Sequence, residues 1–474
     1  MFELFFHELR DSLFGGRLAV AFLVMLVAFL ISLGMMSQEY ENRLENYQES
    51  MSLSADDLFY NKVVYWVHQS GATDDSDTLT YPMGKVKKPD PLLFFSRGMD
   101  VDMCKAVEFV ATFPIIDITY RPLQDANLLK ILFSAPDLLF VVKVLVSLLA
   151  ILFAYNLICE ERERGTLKLL LASGSSRTAI FAGKLLGGLL SIWLAFTAAF
   201  LVYLLSLSLL TPVSLQGEML ARILLIFLTS LLHIAVFFGI GALVSVFTRH
   251  SATALILALF LWLVFVFVLP GLSSLIAQQF VPVDSRQKVA RMKLEKAQEM
   301  EEEYAQAHPD EDRSNTAGYG QRSDAIRQEV SDALQQIDEE HRRRRELQAE
   351  LTTNLARISP IGSTTYLFSA LSHSGIDDVA LYQSDLQRIR SELDGQITAL
   401  LKNFSLQEYL ASGWDVSDQM EGLSLLDYSR NASFSQMTLA ETLSLAWVDF
   451  VLLAAFSLVA IAISAIRFNF YDPR

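Results

Sequence analysis

An all-α membrane protein is the fold class the sequence predicts: six transmembrane helices, an N-terminal interfacial elbow helix, and two regions beyond the membrane, one mixed α/β and one a helical hairpin. Three observations predict it. The chain has 474 residues, 52% hydrophobic and 19% charged, with a mean hydropathy of +0.34, whereas a soluble domain carries about 25% charged residues. Its apolar residues gather into six runs, each meeting or approaching the roughly 20 residues that cross a bilayer as helix. Two long polar stretches, 37–135 and 278–440, separate some of those runs and carry net charges of about −6 and −10.

The elements follow in chain order. Phe2, Phe5, Phe6, Leu9 and Leu13 recur at three- and four-residue spacing, with Glu3, His7, Arg10 and Asp11 elsewhere on the wheel. That pattern predicts an amphipathic helix over 1–17 lying in the interface and ended by Gly15-Gly16. The first span, 18–36, is too long for a signal peptide, has acidic residues before it and lacks a small-residue cleavage site. Region 37–135 mixes β-prone Val63–Val67 and Phe109–Tyr120 with turn chemistry at 71–77 and 81–91, which predicts a small α/β unit. The remaining spans are expected at 136–158, 185–210, 219–247, 252–277 and 441–467, with a tail over 468–474. Between the last two spans, Ser285–Ala307 and Arg322–Ile358 run free of Gly and Pro on either side of a break at 308–320. They predict an antiparallel helical hairpin. The basic run His341–Arg345 is flanked by Asp338, Glu339, Glu340, Glu346 and Glu350 at helical spacing, the pattern of a salt-bridged solvated helix. Segment 377–426 reads as further helices with turns at Gly395 and Gly413. Asn403-Phe-Ser405 and Asn431-Ala-Ser433 match the glycosylation tripeptide by pattern.

Charge and cysteine usage exclude several classes. The formal net charge of −15 repels nucleic acid. Two cysteines, Cys104 and Cys159, exclude a disulfide scaffold and a Cys-based zinc site. The short loops hold the Lys and Arg: Arg10 and Arg17; Arg162, Arg164, Lys168, Arg177 and Lys184; Arg249; Arg467 and Arg474. Short cationic loops stay cytoplasmic, so both termini are expected inside, the two polar regions outside, and the cysteines on opposite sides. The sequence contains no GxxxxGK[ST], HExxH, GxSxG or CxxC. No catalytic residue and no metal site is therefore assigned, and energy must come from a partner chain or a gradient.

Ionisable residues inside a bilayer are functional candidates. Lys143 and Asp449 lie at similar depth in the second and sixth spans and are expected to form an intramembrane ion pair. His233 sits near the middle of the fourth span, where a hydrogen bond to a neighbouring helix is expected. Pro270-Gly271 is a candidate hinge in the fifth span, because Pro removes a backbone hydrogen bond.

The most informative stretch is Cys159–Lys184, CEERERGTLKLLLASGSSRTAIFAGK. The second span runs into Glu160, Glu161, Arg162, Glu163 and Arg164. Gly165 turns the chain into a short helix over Thr166–Ala172 bearing Leu167, Leu169, Leu170 and Leu171. A Ser-Gly-Ser-Ser turn follows, with Ser176 as cap, and Arg177 leads into the third span. A charged lever with an apolar tip suits docking into a partner's groove.

This stretch resembles the coupling-helix region of ABC type-2 transporter permeases, through Glu161, Arg162, Glu163, Gly165, Thr166, Leu167, Leu170, Arg177, Gly183 and Lys184. The predicted interfacial helix resembles that family's elbow helix. Ser359-Pro360 and the ending Phe470-Tyr-Asp-Pro-Arg474 are similar to the branch with a large outer insertion, as in gliding-motility and copper-cluster-maturation permeases. The resemblance implies a permease of the prokaryotic inner membrane, paired with a second copy or a sibling permease. Two cytoplasmic ATPase subunits would dock on Glu160–Leu171 and Arg177 and bind the ATP and Mg, so no cofactor belongs to this chain. It implies export, or movement of an outer partner protein without a translocated substrate. A non-ABC membrane scaffold or receptor is the third reading.

Overall fold

The computed structural model describes residue 10 and residues 16–52, 79–85, 87–98, 106–112, 115–121, 136–172, 176–211, 213, 216–307, 316–403 and 434–470. The expected elbow helix over 1–17, Cys104, the turn at 173–175, residues 404–433 with the second glycosylation tripeptide, and the end of the tail fall almost wholly outside them.

Among the described residues, six helices are long and apolar enough to cross a membrane: Arg17–Gln48, Leu138–Glu163, Arg177–Leu210, Glu218–Phe247, Ser251–Phe280 and Leu439–Asn469. They are called spans 1 to 6. The first is longer than its apolar run, since its helix continues to Ser52. Nothing after residue 36 breaks it, and the i,i+4 pair Glu39–Arg43, at 2.9 Å, supports it. Residues 37–52, expected in the first polar region, are therefore an extension of span 1. Beyond it, β1 (Leu79–Lys85), β2 (Ala106–Thr112) and β3 (Ile115–Arg121) form an antiparallel sheet in the order β1-β2-β3.

The core lies among spans 1, 2, 3, 4 and 6, and span 4 meets its neighbours on small-residue contacts. Gly241 of span 4 lies so close to span 2 that a Cβ there would stand 2.7 Å from the Ala154 Cβ and 3.1 Å from the Ile151 carbonyl oxygen. Small residues let helix backbones approach in lipid. Gly241→Ala should therefore cost about 1–3 kcal/mol, as overpacking does. An unchanged melting temperature in detergent would show that these helices do not pack so closely.

Span 2 changes from α to π geometry over Val141–Val146, and span 5 does so over Val264–Val268. The two wide turns are neighbours: the Trp262 indole donates to Ser147 Oγ at 2.9 Å, and Ser147 Oγ donates to the Lys143 carbonyl. Pro270 sits just after the second wide turn, where its missing N–H leaves the ladder short of a donor.

The last piece of span 2 is set off as α1 (Cys159–Glu163), and α2 (Thr166–Ala172) joins it to span 3. Beyond span 5 come α3 (Arg286–Ala307), α4 (Thr316–Ala356), α5 (Pro360–Leu371) and α6 (Ile376–Asn403). α3 and α4 are the expected hairpin, tied by Lys293–Asp338 at 2.5 Å and by His341 Nε2 to the Asp284 carbonyl at 2.9 Å. Helix α6 runs through Gly395, where a turn was expected. A mid-helix glycine costs only about 1 kcal/mol, and the residues around it are good helix formers.

Region 278–440, expected wholly beyond the membrane, does not stay there. Gln348 of α4 donates to the Val281 carbonyl at the end of span 5, at 2.8 Å. Eleven residues further on, past the end of α4, Ser359 Oγ donates to the Phe265 carbonyl at 2.7 Å. Phe265 is midway along span 5. Ser359 caps α5, which opens with Pro360 and climbs back, so the Leu371 carbonyl accepts from Arg222 near the start of span 4. The end of α4 and all of α5 thus form a re-entrant hairpin whose turn is level with the middle of spans 4 and 5. The apolar run Pro360–Leu371 is too short to span alone.

Candidate functional site

The charged junction after span 2 is built by a break in the helix. The ladder loosens at residues 155–158, and Ser245 Oγ of span 4 accepts the N–H groups of Ile158 (2.9 Å) and Cys159 (3.1 Å). These are orphan donors of the sort found at any helix start. The chain then enters α1, already anchored to span 4.

Arg162 reaches the other way. Its guanidinium donates to the Thr248 carbonyl at 2.7 Å and to the Val246 carbonyl at 3.2 Å. Those are orphan acceptors at the end of span 4, where a cation is also favoured by the helix dipole. The next residue, Glu163, accepts from the Ser251 N–H (2.9 Å) and Ser251 Oγ (2.7 Å). Ser251 is the first residue of span 5, so this carboxylate caps a helix N-terminus, the end that favours an anion. Adjacent residues of opposite charge therefore grip the two ends of the span 4–span 5 connection.

Glu161 faces inward. It pairs with the buried Lys184 at 3.0 Å and takes a hydrogen bond from the Thr166 hydroxyl, binding α1 to α2 and to span 3. Glu160 pairs with Arg164 at 2.5 Å on the α1 surface. Gly165 then turns the chain with φ +75°, a left-handed conformation natural to glycine. Arg177, at the start of span 3, donates to the Asn469 carbonyl at the end of span 6, at 2.8 Å.

The structure thus brings together Glu161, Arg162, Glu163, Gly165 and Thr166, while Arg177 is turned to the end of span 6. Glu161 and Glu163 both find their partners within this chain. In α2, Leu167 is buried at 1% exposure and faces the bundle, Leu170 is half-buried, and Leu169 is 72% exposed. The outward surface is therefore Arg164, Lys168, Leu169 and Ala172. Of these, Leu169 was read only as one of a leucine run, because a seven-residue helix is too short for its periodicity to show a face.

Inside the bundle, Asp449 does not meet Lys143. Both its carboxylate oxygens are taken by Arg357, Nε to Oδ1 at 2.9 Å and the terminal nitrogen to Oδ2 at 2.8 Å. A bidentate guanidinium matches a carboxylate better than a point-charge ammonium. Arg357 was overlooked because it lies outside every apolar run; it follows α4 and rides into the membrane on the re-entrant turn. His233 bonds Thr364 of α5 through Nδ1 at 2.7 Å. Thr364 gives its own proton to the Pro360 carbonyl, so His233 is the donor.

Comparison with known proteins matches residues 3–472 to the family described as ABC-2 family transporter protein. No curated protein matches the chain.

Proposed function

The chain belongs to the ABC-2 family of transporter proteins, and from that premise we propose that it is the permease half of an ATP-driven assembly whose ATPase subunits dock on α2. On this reading both termini and α1–α2 face the cytoplasm, the region over 1–17 is an elbow helix in the interface, and 37–135 together with 278–440 lie largely beyond the outer face, the former as a mixed α/β unit. A second permease, identical or a sibling, completes the pathway in the prokaryotic inner membrane, with lipid around it. ATP and Mg reside in the partner ATPases, and this chain holds no cofactor.

The observation that supports coupling is the set of helix-end grips on α1 and its neighbours. A push on α2 reaches span 4 through Arg162, span 5 through Glu163, and span 3 through Glu161 and Lys184. Span 3 in turn holds the end of span 6 through Arg177. Hydrogen-bonded helix ends transmit displacement because breaking them strands backbone groups. Pro270-Gly271, next to the π-turn of span 5, is the proposed hinge.

A second reading, mechanotransmission to an outer partner, is favoured by a separate observation. Spans 5 and 6 are both bonded to the re-entrant hairpin, through Phe265–Ser359 and Asp449–Arg357, and that hairpin continues into the long α3–α4 arm. Movement of these spans would move the arm whether or not a substrate crosses. Family membership supports both of these readings over a non-ABC scaffold or receptor.

The test is Leu169→Asp. An exposed apolar tip seated in a groove of the ATPase should tolerate no carboxylate. The variant should insert and fold normally but lose most of its ATPase in a pull-down, with stimulated ATP turnover in nanodiscs falling in proportion. Full retention of the ATPase would refute docking at α2. A thiol placed at Gly318 should be labelled only from outside; labelling from the cytoplasm alone would reverse the orientation.

A further inference from the structure

We propose that the buried knot around His373, on the face of the bundle opposite α1–α2, is a pH-sensitive clasp that is closed when His373 carries both ring protons and loosens when it loses one. The knot joins pieces of chain that nothing in sequence brings together. Residues 90–96, including the 3-10 turn Pro91–Phe94, come from the first polar region and are fastened by the Tyr203 hydroxyl donating to the Phe94 carbonyl at 2.8 Å. The turn between α5 and α6 supplies His373. Residues 434–438 lead into span 6, and Arg222 comes from the start of span 4.

His373 faces oxygen acceptors on both sides. Nδ1 stands 2.8 Å from Asp90 Oδ2, and Nε2 stands 3.2 Å from the Met437 carbonyl. A neutral imidazole has one N–H and one lone pair, so it can satisfy only one of them and turns a lone pair on the other. The imidazolium donates to both. Its backbone φ is +52°, and among the described residues it is the one non-glycine at positive φ. Such a conformation persists where the surroundings over-determine it.

The groups around it come from each packed element. Asp90 also accepts the Leu92 N–H at 2.8 Å and the Gln436 amide at 3.2 Å. Burial alone would raise its carboxyl. The hydrogen bond and charge of His373, the Leu92 N–H and the charge of Lys87 outweigh that and hold it below the usual carboxylate range. Asp378 of α6 accepts the Gly375 N–H at 3.0 Å. Its carboxyl is raised by burial, against that hydrogen bond and the charges of His373, Lys87 and Arg222. Arg222 donates to the same Met437 carbonyl at 2.7 Å and pairs with Glu218 at 2.9 Å.

The signs follow from these directions. Because Asp90 is depressed, its contribution is complete above the ordinary carboxylate range and lost only as pH falls through its lowered value. Loss of one ring proton leaves one of the two acceptors without a donor, so the clasp loosens as pH rises while Asp90 stays ionised.

The test is hydrogen exchange of residues 434–438 in the full chain in nanodiscs at pH 6 and pH 9. Wild type is compared with His373→Asn and Asp378→Asn. Asn accepts positive φ and keeps a donor, but does not titrate. The wild-type to variant ratio cancels the intrinsic pH dependence of exchange. At pH 6 wild type should exchange about tenfold more slowly than His373→Asn, the equivalent of one pKa unit, and at pH 9 the two should be equal. Asp378→Asn should keep the wild-type response. Equal protection at pH 6, a ratio unchanged between the two pH values, or loss of the response in Asp378→Asn would each overturn the proposal.

Discussion

Arg357→Ala should be among the most damaging single changes in the bundle. Asp449 is 2% exposed, and without Arg357 its carboxylate would be left unpaired against lipid and apolar helices. Breaking a buried pair from one side costs about 3–5 kcal/mol. The re-entrant turn would lose its charged tie to span 6 while keeping the Ser359 bond to span 5 and the Thr364 bond to span 4. Asp449→Ala should be milder, because the Arg357 side chain is 25% exposed and can turn toward water or headgroups. The double change should cost less than the sum of the two, by more than 1 kcal/mol on the scale typical of directly bonded residues. Thermal unfolding in detergent measures all three. Lys143→Ala with Asp449→Ala should be additive, and coupling there with additivity at Arg357 would restore the pair the sequence suggests and remove the one described here.

Gly165→Val should leave an inserted permease that no longer drives ATP hydrolysis in its partner. No atom would obstruct a Cβ at this position within 4 Å, so the penalty is wholly that of the backbone. A left-handed residue other than glycine costs about 1–2 kcal/mol, with β-branched residues worse and Asn better. The chain can escape by relaxing the turn, which swings α2 off its seat on Leu167. Gly165→Asn should then recover much of the stimulation that Val loses. Glu163→Lys should uncouple by a different route: it sets a cation against the N–H groups at the start of span 5. Because α2 is untouched, that variant should still bind the ATPase, unlike Leu169→Asp. A comparable change at Arg249, in the loop between spans 4 and 5, should do less. If Gly165→Val and Glu163→Lys both bind and stimulate as wild type does, α1–α2 is only a connecting loop.

The spans were legible because their cause is local. Bilayer thickness sets a minimum apolar length, and each of six helices satisfies it from its own residues. The charged junction was legible for a related reason: its charges, its glycine and its leucines stand within one short window. The hairpin arm showed itself as two long stretches free of Gly and Pro. Even so, the window said what kinds of residue were present without saying what they held. The grips of Arg162 on span 4 and Glu163 on span 5 cross more than 80 positions.

By itself, then, the sequence determined the number of spans, the all-helical class of the bundle and the position of the charged junction, since composition and period act over one or two helical turns. The tertiary structure alone decided that Asp449 pairs with Arg357 across 92 positions, that α5 enters the bundle, and that Leu169 points outward while Leu167 is buried. The physical reason is that a buried charge or an unpaired carbonyl must find a partner, and the partner is whichever group the packed chain carries to the same depth. Depth for Arg357 is set by the re-entrant turn and not by an apolar run of its own.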